Sequence, residues 1–80
     1  MNITVKYFAS LRDKAGVSEE KMEISSEENL SRIYEILSSR YKFPLKAKEV
    51  KFAVNNEYVD DSYRLLENDV LVFIPPVAGG

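Results

Sequence analysis

The 80-residue sequence predicts a single α+β domain in which one main helix packs on a small mixed sheet of about five strands. Three observations predict it. Residues 2–8 and 18–24 carry the two-residue period of strands, and residues 27–41 alone carry apolar side chains at helical spacing. Residues 50–74 then hold three further short strand-like runs separated by turn-forming residues. A chain this small buries roughly 60–65% of its unfolded surface, enough for one thin core and no deep cleft.

In the first strand, Ile3, Val5 and Tyr7 fall on one side and Thr4, Lys6 and Phe8 on the other. Residues 9–15 lose the alternation and favour a short helical turn, which Gly16 can close in a left-handed conformation. Met22 and Ile24, with charged residues between and around them, mark a second strand over residues 18–24. Ser26 is a candidate N-cap, and Glu27 and Glu28 sit where the helix dipole favours acids. Leu30, Ile33, Tyr34, Leu37 and Tyr41 supply the apolar stripe, and Pro44 stops the helix near Tyr41.

Residues 50–54 read as a strand, Asn55-Asn56-Glu57 as a tight turn, and Tyr58-Val59 as a short return strand. After Glu67-Asn68-Asp69, the unbroken apolar run Val70 to Ile74 reads as a strand covered on both sides. The first and last strands are the most apolar and are placed side by side at the sheet centre. This order of elements describes the β-grasp, or ubiquitin-like, fold.

Composition removes many functions. Hydrophobic residues are 45% and charged residues 30%, which argues against disorder. With no Cys and no His there is no thiol nucleophile, imidazole base or soft-metal site, and no metal is assigned. A net charge of −2 speaks against nucleic acid as a partner, and the basic stretch Lys42, Lys46, Lys48 and Lys51 is interrupted by Glu49. The start MNITVKYF lacks a secretory leader's pattern, and the longest apolar run is too short to span a bilayer, so a soluble cytoplasmic protein with no membrane association is expected. The acid pairs Glu19-Glu20, Glu27-Glu28 and Asp60-Asp61 are adjacent in sequence, which suits solvated or capping roles better than paired catalysis. The glycines do not form a phosphate-binding loop, so no bound nucleotide or other cofactor is expected.

The segment Pro75-Pro76-Val77-Ala78-Gly79-Gly80 is the remaining candidate for chemistry. Gly is roughly 7% of average usage, so two at fixed positions arise by chance about once in 200 chains. Pro75-Pro76 cannot donate to a ladder, which ends the last strand and holds the following residues extended. Val77 and Ala78 are small enough to enter a narrow channel, and Gly79 and Gly80 let the backbone pass close to a partner's catalytic groups. A flexible tail over 75–80, with the Gly80 carboxylate as its reactive tip and no processing step, is the expectation. A carboxylate is a poor electrophile and has to be activated from outside, most simply as an acyl-adenylate. Phe8, Tyr58 and Ile74 could share an exposed apolar sheet face suited to a partner.

The whole chain resembles the small-subunit family of molybdopterin synthase, ubiquitin-like sulfur carriers of molybdenum-cofactor biosynthesis. Phe8, Ala9, Arg12 and Gly16 fit an F-A-x-x-R-x-x-x-G pattern, and AVNNEYV at 53–59 looks like the family's A-V-N-x-x-x-V hairpin. LLENDVLVFIPPVAGG at 65–80 resembles the family's ending, an apolar strand after a spaced Leu and Asp and then P-P-V-x-G-G. Asn68 stands where a Gly often precedes the Asp, and Ile74 where many relatives have Phe.

The resemblance implies that a ubiquitin-type activating enzyme adenylates Gly80 with ATP and that a sulfur donor converts it to a thiocarboxylate. The loaded carrier would dock on the large synthase subunit, in a heterotetramer, and thread residues 75–80 into that subunit's active site. Sulfur would pass there to a cyclic pyranopterin, forming the dithiolene of molybdopterin, with the catalytic residues supplied by the large subunit. The resemblance also implies that Phe8, Tyr58 and Ile74 meet the large subunit and that Arg12 makes a polar partner contact. A related carrier for thiamine or transfer-RNA thiolation, a lysine-conjugated modifier, and a non-covalent β-grasp module remain open at this point.

Overall fold

The computed structural model describes residues 1–76. Its elements are β1 (Asn2–Tyr7), α1 (Ala9–Ala15), β2 (Glu19–Glu23), α2 (Leu30–Tyr41), a 3-10 turn (Ala47–Glu49), β3 (Lys51–Val54), β4 (Glu57–Val59) and β5 (Val70–Ile74). One five-stranded sheet has the order β2-β1-β5-β3-β4. β1 and β5 run parallel at its centre, and every other neighbouring pair is antiparallel. This is the β-grasp arrangement, with α2 as the main helix.

The core lies between α2 and one face of the sheet. Leu30, Ile33, Tyr34 and Leu37 form the buried stripe of α2, and Ile3, Val5, Tyr7, Phe52, Val54, Leu71 and Phe73 belong to the same cluster. Full burial stabilises by about 1.5–3 kcal/mol for each such side chain, so this seam outweighs any single cap or turn. Phe73 is its aromatic centre, edge-on to Tyr34 with ring centroids 5.0 Å apart and to Phe52 at 5.8 Å.

The main helix starts later than its sequence suggests. Ser26 does not cap it, and Glu27 and Glu28 lie in a turn before it, held by Ser25, whose hydroxyl accepts from the Glu27 N–H and whose carbonyl accepts from Glu28. Asn29 is the N-cap, its Oδ1 accepting from the Arg32 N–H at 2.8 Å. The Ser31 N–H donates to Asp61 Oδ1 at 2.7 Å, a cap supplied from 30 residues away. At the other end Lys42 takes the left-handed conformation and its N–H donates to the Ser38 carbonyl.

Two turns shape the sheet. Asn55 (φ 51°) and Asn56 (φ 74°) are both left-handed, as a two-residue hairpin between Val54 and Glu57 requires. Phe8 is extended and Ala9 left-handed (φ 50°), which turns the chain sharply from β1 into α1 at a cost of about 1–2 kcal/mol for a residue with a Cβ. The run Val70 to Ile74 is not covered on both sides. Leu71 and Phe73 face α2, whereas Val70 and Ile74 are half-buried on the opposite face, where no helix packs.

Candidate functional site

The open face of the sheet is organised by register. Lys6 pairs with Val72, Val72 with Ala53, and Ala53 with Tyr58, so these four form one row across β1, β5, β3 and β4. Ile74 pairs with Lys51 in the next row, and Phe8 follows directly after the Tyr7–Phe73 pair. The result is a shallow groove of about 260 Å³ lined by Lys6, Phe8, Ala53 and Tyr58, together with Asn56, Val70, Val72 and Ile74. Small-molecule pockets span about 300–1,000 Å³, so this concavity lies just below the small end of that range. A larger depression of about 580 Å³ beside the C-terminal half of α2 contains none of the candidate residues.

Phe8, Tyr58 and Ile74 therefore meet in one groove. Phe8 is 48% exposed and Tyr58 74% exposed, far more than large aromatic side chains need be in a domain with its own core. Arg12 is exposed on α1 and does not line the groove. Lys6, Ala53, Asn56, Val70 and Val72 line it without having been singled out from sequence. Lys6 was legible, since β1 alternation puts it with Phe8; the valines were hidden in an apolar run that shows no period.

A polar clamp lies beside the groove. Asn55 Nδ2 donates to Asp69 Oδ1 at 2.9 Å, and Asn55 Oδ1 accepts from the Val70 N–H at 3.0 Å, which fixes the β3–β4 hairpin to the start of β5. Asp69 Oδ2 also accepts from the Leu66 N–H at 2.9 Å. Asp69 is the one buried ionisable carboxyl among the described residues, and these bonds keep its oxygens satisfied.

The strongly shifted phenols lie on the other side of the sheet. Burial pushes the Tyr7 hydroxyl well up, and its hydrogen bond to Glu20 adds to the rise. Burial pushes Tyr34 up to about 12, reinforced by the Glu49 carboxylate. These phenols stay protonated at neutral pH and serve the core. Among the described residues no group of three or more His, Cys, Asp or Glu side chains could hold a metal ion, and no helix is long and apolar enough to cross a membrane.

β5 delivers the chain to its glycine-rich segment. The last ladder partners are Phe73 with Tyr7 and Ile74 with Lys51; Pro75 follows half-buried and Pro76 exposed. Val77, Ala78, Gly79 and Gly80 lie outside the described residues.

The family model of the ThiS family matches residues 5–80. The chain belongs to the ThiS family. Within that frame, a molybdopterin synthase sulfur carrier subunit of Chlamydomonas reinhardtii is 34% identical over 83 residues, covering 100% of both chains. A Pyrococcus furiosus protein assigned as molybdopterin converting factor subunit 1 superposes on this ThiS-family chain with a TM-score of 0.78 at 31% identity, covering 96% of this chain and 99% of that one. A chain from the complex of subunits 1 and 2 of the Helicobacter pylori molybdopterin-converting factor gives a TM-score of 0.70 at 21% identity over 100% of both chains, a likeness of fold.

Proposed function

We propose that this chain is the sulfur carrier of a molybdopterin synthase, with the Gly80 carboxylate as the group that holds the sulfur. The observation that carries the reading is structural. The central strand β5, which lines the groove on the open face, runs in sequence straight into Pro75-Pro76-Val77-Ala78-Gly79-Gly80. A rigid domain thereby fixes the base of a thin segment, and the groove offers a surface for the protein that receives it. Membership of the ThiS family and the 34% identity to a curated sulfur carrier subunit support the same assignment.

The chemistry proceeds in three exchanges at one carbon. An ATP-dependent activating enzyme joins the Gly80 carboxylate to AMP with loss of pyrophosphate. A sulfur donor then displaces AMP and leaves a thiocarboxylate. In the cytoplasm the loaded chain docks through Phe8, Tyr58 and Ile74 on a large subunit, with Arg12 on the flanking helix α1 available for a polar contact. Residues 75–80 reach that subunit's active site, where sulfur passes to the pyranopterin, water takes its place on the Gly80 carbonyl carbon to restore the carboxylate, and the catalytic groups belong to the partner. The Helicobacter pylori complex of two subunits is the precedent for such a pairing on this fold.

Intact-mass measurement after incubation with ATP, an activating enzyme and a sulfur source tests the proposal. The expected product has one oxygen replaced by sulfur, mapped to Gly80, and deletion of Gly80 abolishes it. Sulfur transfer that survives the deletion, or adducts found only on target lysines, would overturn it.

A further inference from the structure

The groove mixes apolar side chains with the neutral Asn56 and Tyr58 and holds one charged side chain, Lys6. Lys6 stands on β1 in the middle row of the open face, beside Val72 and close to the Phe8 and Ile74 end. Its cross-strand neighbour on β2 is Glu19, yet the one ion pair among the described residues, Arg40 with Glu20, lies on the opposite face. Among the described residues no carboxylate lies within ion-pair distance of the Lys6 ammonium, not even that of Glu19, its directly opposed neighbour on β2. Lys21, paired with Thr4, and Lys51, paired with Ile74, share this face, while the strand acids Glu19 and Glu23 are confined to the outer strand β2.

A wholly apolar ridge pressed into this groove would strip water from the Lys6 ammonium and leave only the exposed Glu19 across the strand to offset the loss, so burial of the charge is costly. An acidic group in the ridge reverses the balance. We infer that the large-subunit surface which seats on this groove is an apolar patch with an aspartate or glutamate on the side that meets β1, paired with Lys6. This rests on the carrier reading above and adds to it the chemistry of the partner. Lys6 then works as a specificity element, since it rejects apolar surfaces that Phe8, Tyr58 and Ile74 alone would accept.

The sign of one substitution decides the matter. Lys6→Met keeps the length and apolar stem of the side chain and removes its charge. If the partner presents a carboxylate, that carboxylate is left unpaired and binding to the large subunit weakens about 30-fold or more. If it does not, Lys6→Met removes a desolvation cost and binding stays level or tightens. The measurement is the Kd of the full chain for the large subunit from the same organism, at low and high salt, for wild type, Lys6→Met, Lys6→Glu and Tyr58→Ala.

The expected pattern is weaker binding for Lys6→Met with a flattened salt dependence, still weaker binding and slower association for Lys6→Glu, and weaker binding for Tyr58→Ala with the wild-type salt dependence. Lys6→Met binding at or above the wild-type level overturns the inference and leaves the carrier reading standing. A wild-type chain that forms no complex overturns both. Sedimentation of the chain alone closes the remaining route: a dimer dissociated by Lys6→Met would make a second copy the occupant and overturn the inference.

Discussion

Phe73 and Tyr58 are aromatic residues of the same sheet with opposite duties. Phe73 is 0% exposed and ringed by Tyr7, Tyr34 and Phe52, whereas Tyr58 is 74% exposed on the edge strand β4. Phe73→Ala therefore leaves a cavity and is expected to cost about 3–5 kcal/mol in denaturant unfolding. Tyr58→Ala removes no core contact and is expected to change stability by no more than about 0.5 kcal/mol while weakening partner binding. Equal losses of stability for the two would refute the division of faces. In β1 the sequence shows that division residue by residue, because polar and apolar side chains alternate from Ile3 to Tyr7. In β5 it does not. Val70, Leu71, Val72, Phe73 and Ile74 are all apolar, and only the register with β1 and β3 separates the two that face α2 from the three that line the groove.

At the scale of elements, α2 was legible in its middle and its end. The stripe of Leu30, Ile33, Tyr34 and Leu37 is fixed by period, and the stop at Tyr41 by the residues that follow. Its start was not, because two adjacent segments, Ser25-Ser26 and Asn29, both offer capping side chains, and the choice is made by Asp61 reaching the Ser31 N–H from a distant loop. Asn29→Ala is expected to cost about 1 kcal/mol in urea unfolding, and Ser26→Ala nearly nothing. The reverse ranking would return the helix start to Ser26. The clamp from Asn55 to Asp69 escaped sequence reading for a similar reason: its 14-residue separation matches no local motif, although both residues fell in recognised turns.

Across the whole molecule, stability has an alkaline edge. Tyr7, Tyr34 and Tyr41 all hold their protons more tightly when folded than the ordinary phenol value of 10.0, chiefly through burial for the first two and through the hydrogen bond to Glu20 for the third. Above pH 10 the unfolded chain loses phenolic protons that the folded chain keeps, so it binds fewer protons and the unfolding free energy falls as pH rises. The decline is expected from about pH 10 upward and to continue through the folded Tyr34 value of about 12. Unfolding by guanidinium at a series of alkaline pH values measures it, and Tyr7→Phe with Tyr34→Phe should flatten the slope. A double variant with the wild-type slope would show that other groups set this edge. The adjacency of the first and last strands was legible at this scale, since they are the most apolar segments. The 3-10 turn over Ala47–Glu49 was not, being held by a Lys46–Glu49 pair of bonds rather than by any apolar pattern.

The parallel pairing of β1 with β5 also sets when the domain can form during synthesis. β1 is made first, yet its inner neighbour is the last strand of the domain to leave the ribosome. Until Val70–Ile74 emerges, Ile3, Val5 and Tyr7 have β2 on one side and an unfilled edge on the other. Folding then waits on a contact between distant parts of the chain, a slow closure that leaves apolar surface exposed in the meantime. A nascent chain halted before residue 70 should remain unfolded and open to proteolysis. The strand that completes the sheet is also the one that leads into the glycine-rich segment, so translation makes the segment only after every strand of its supporting domain has been made.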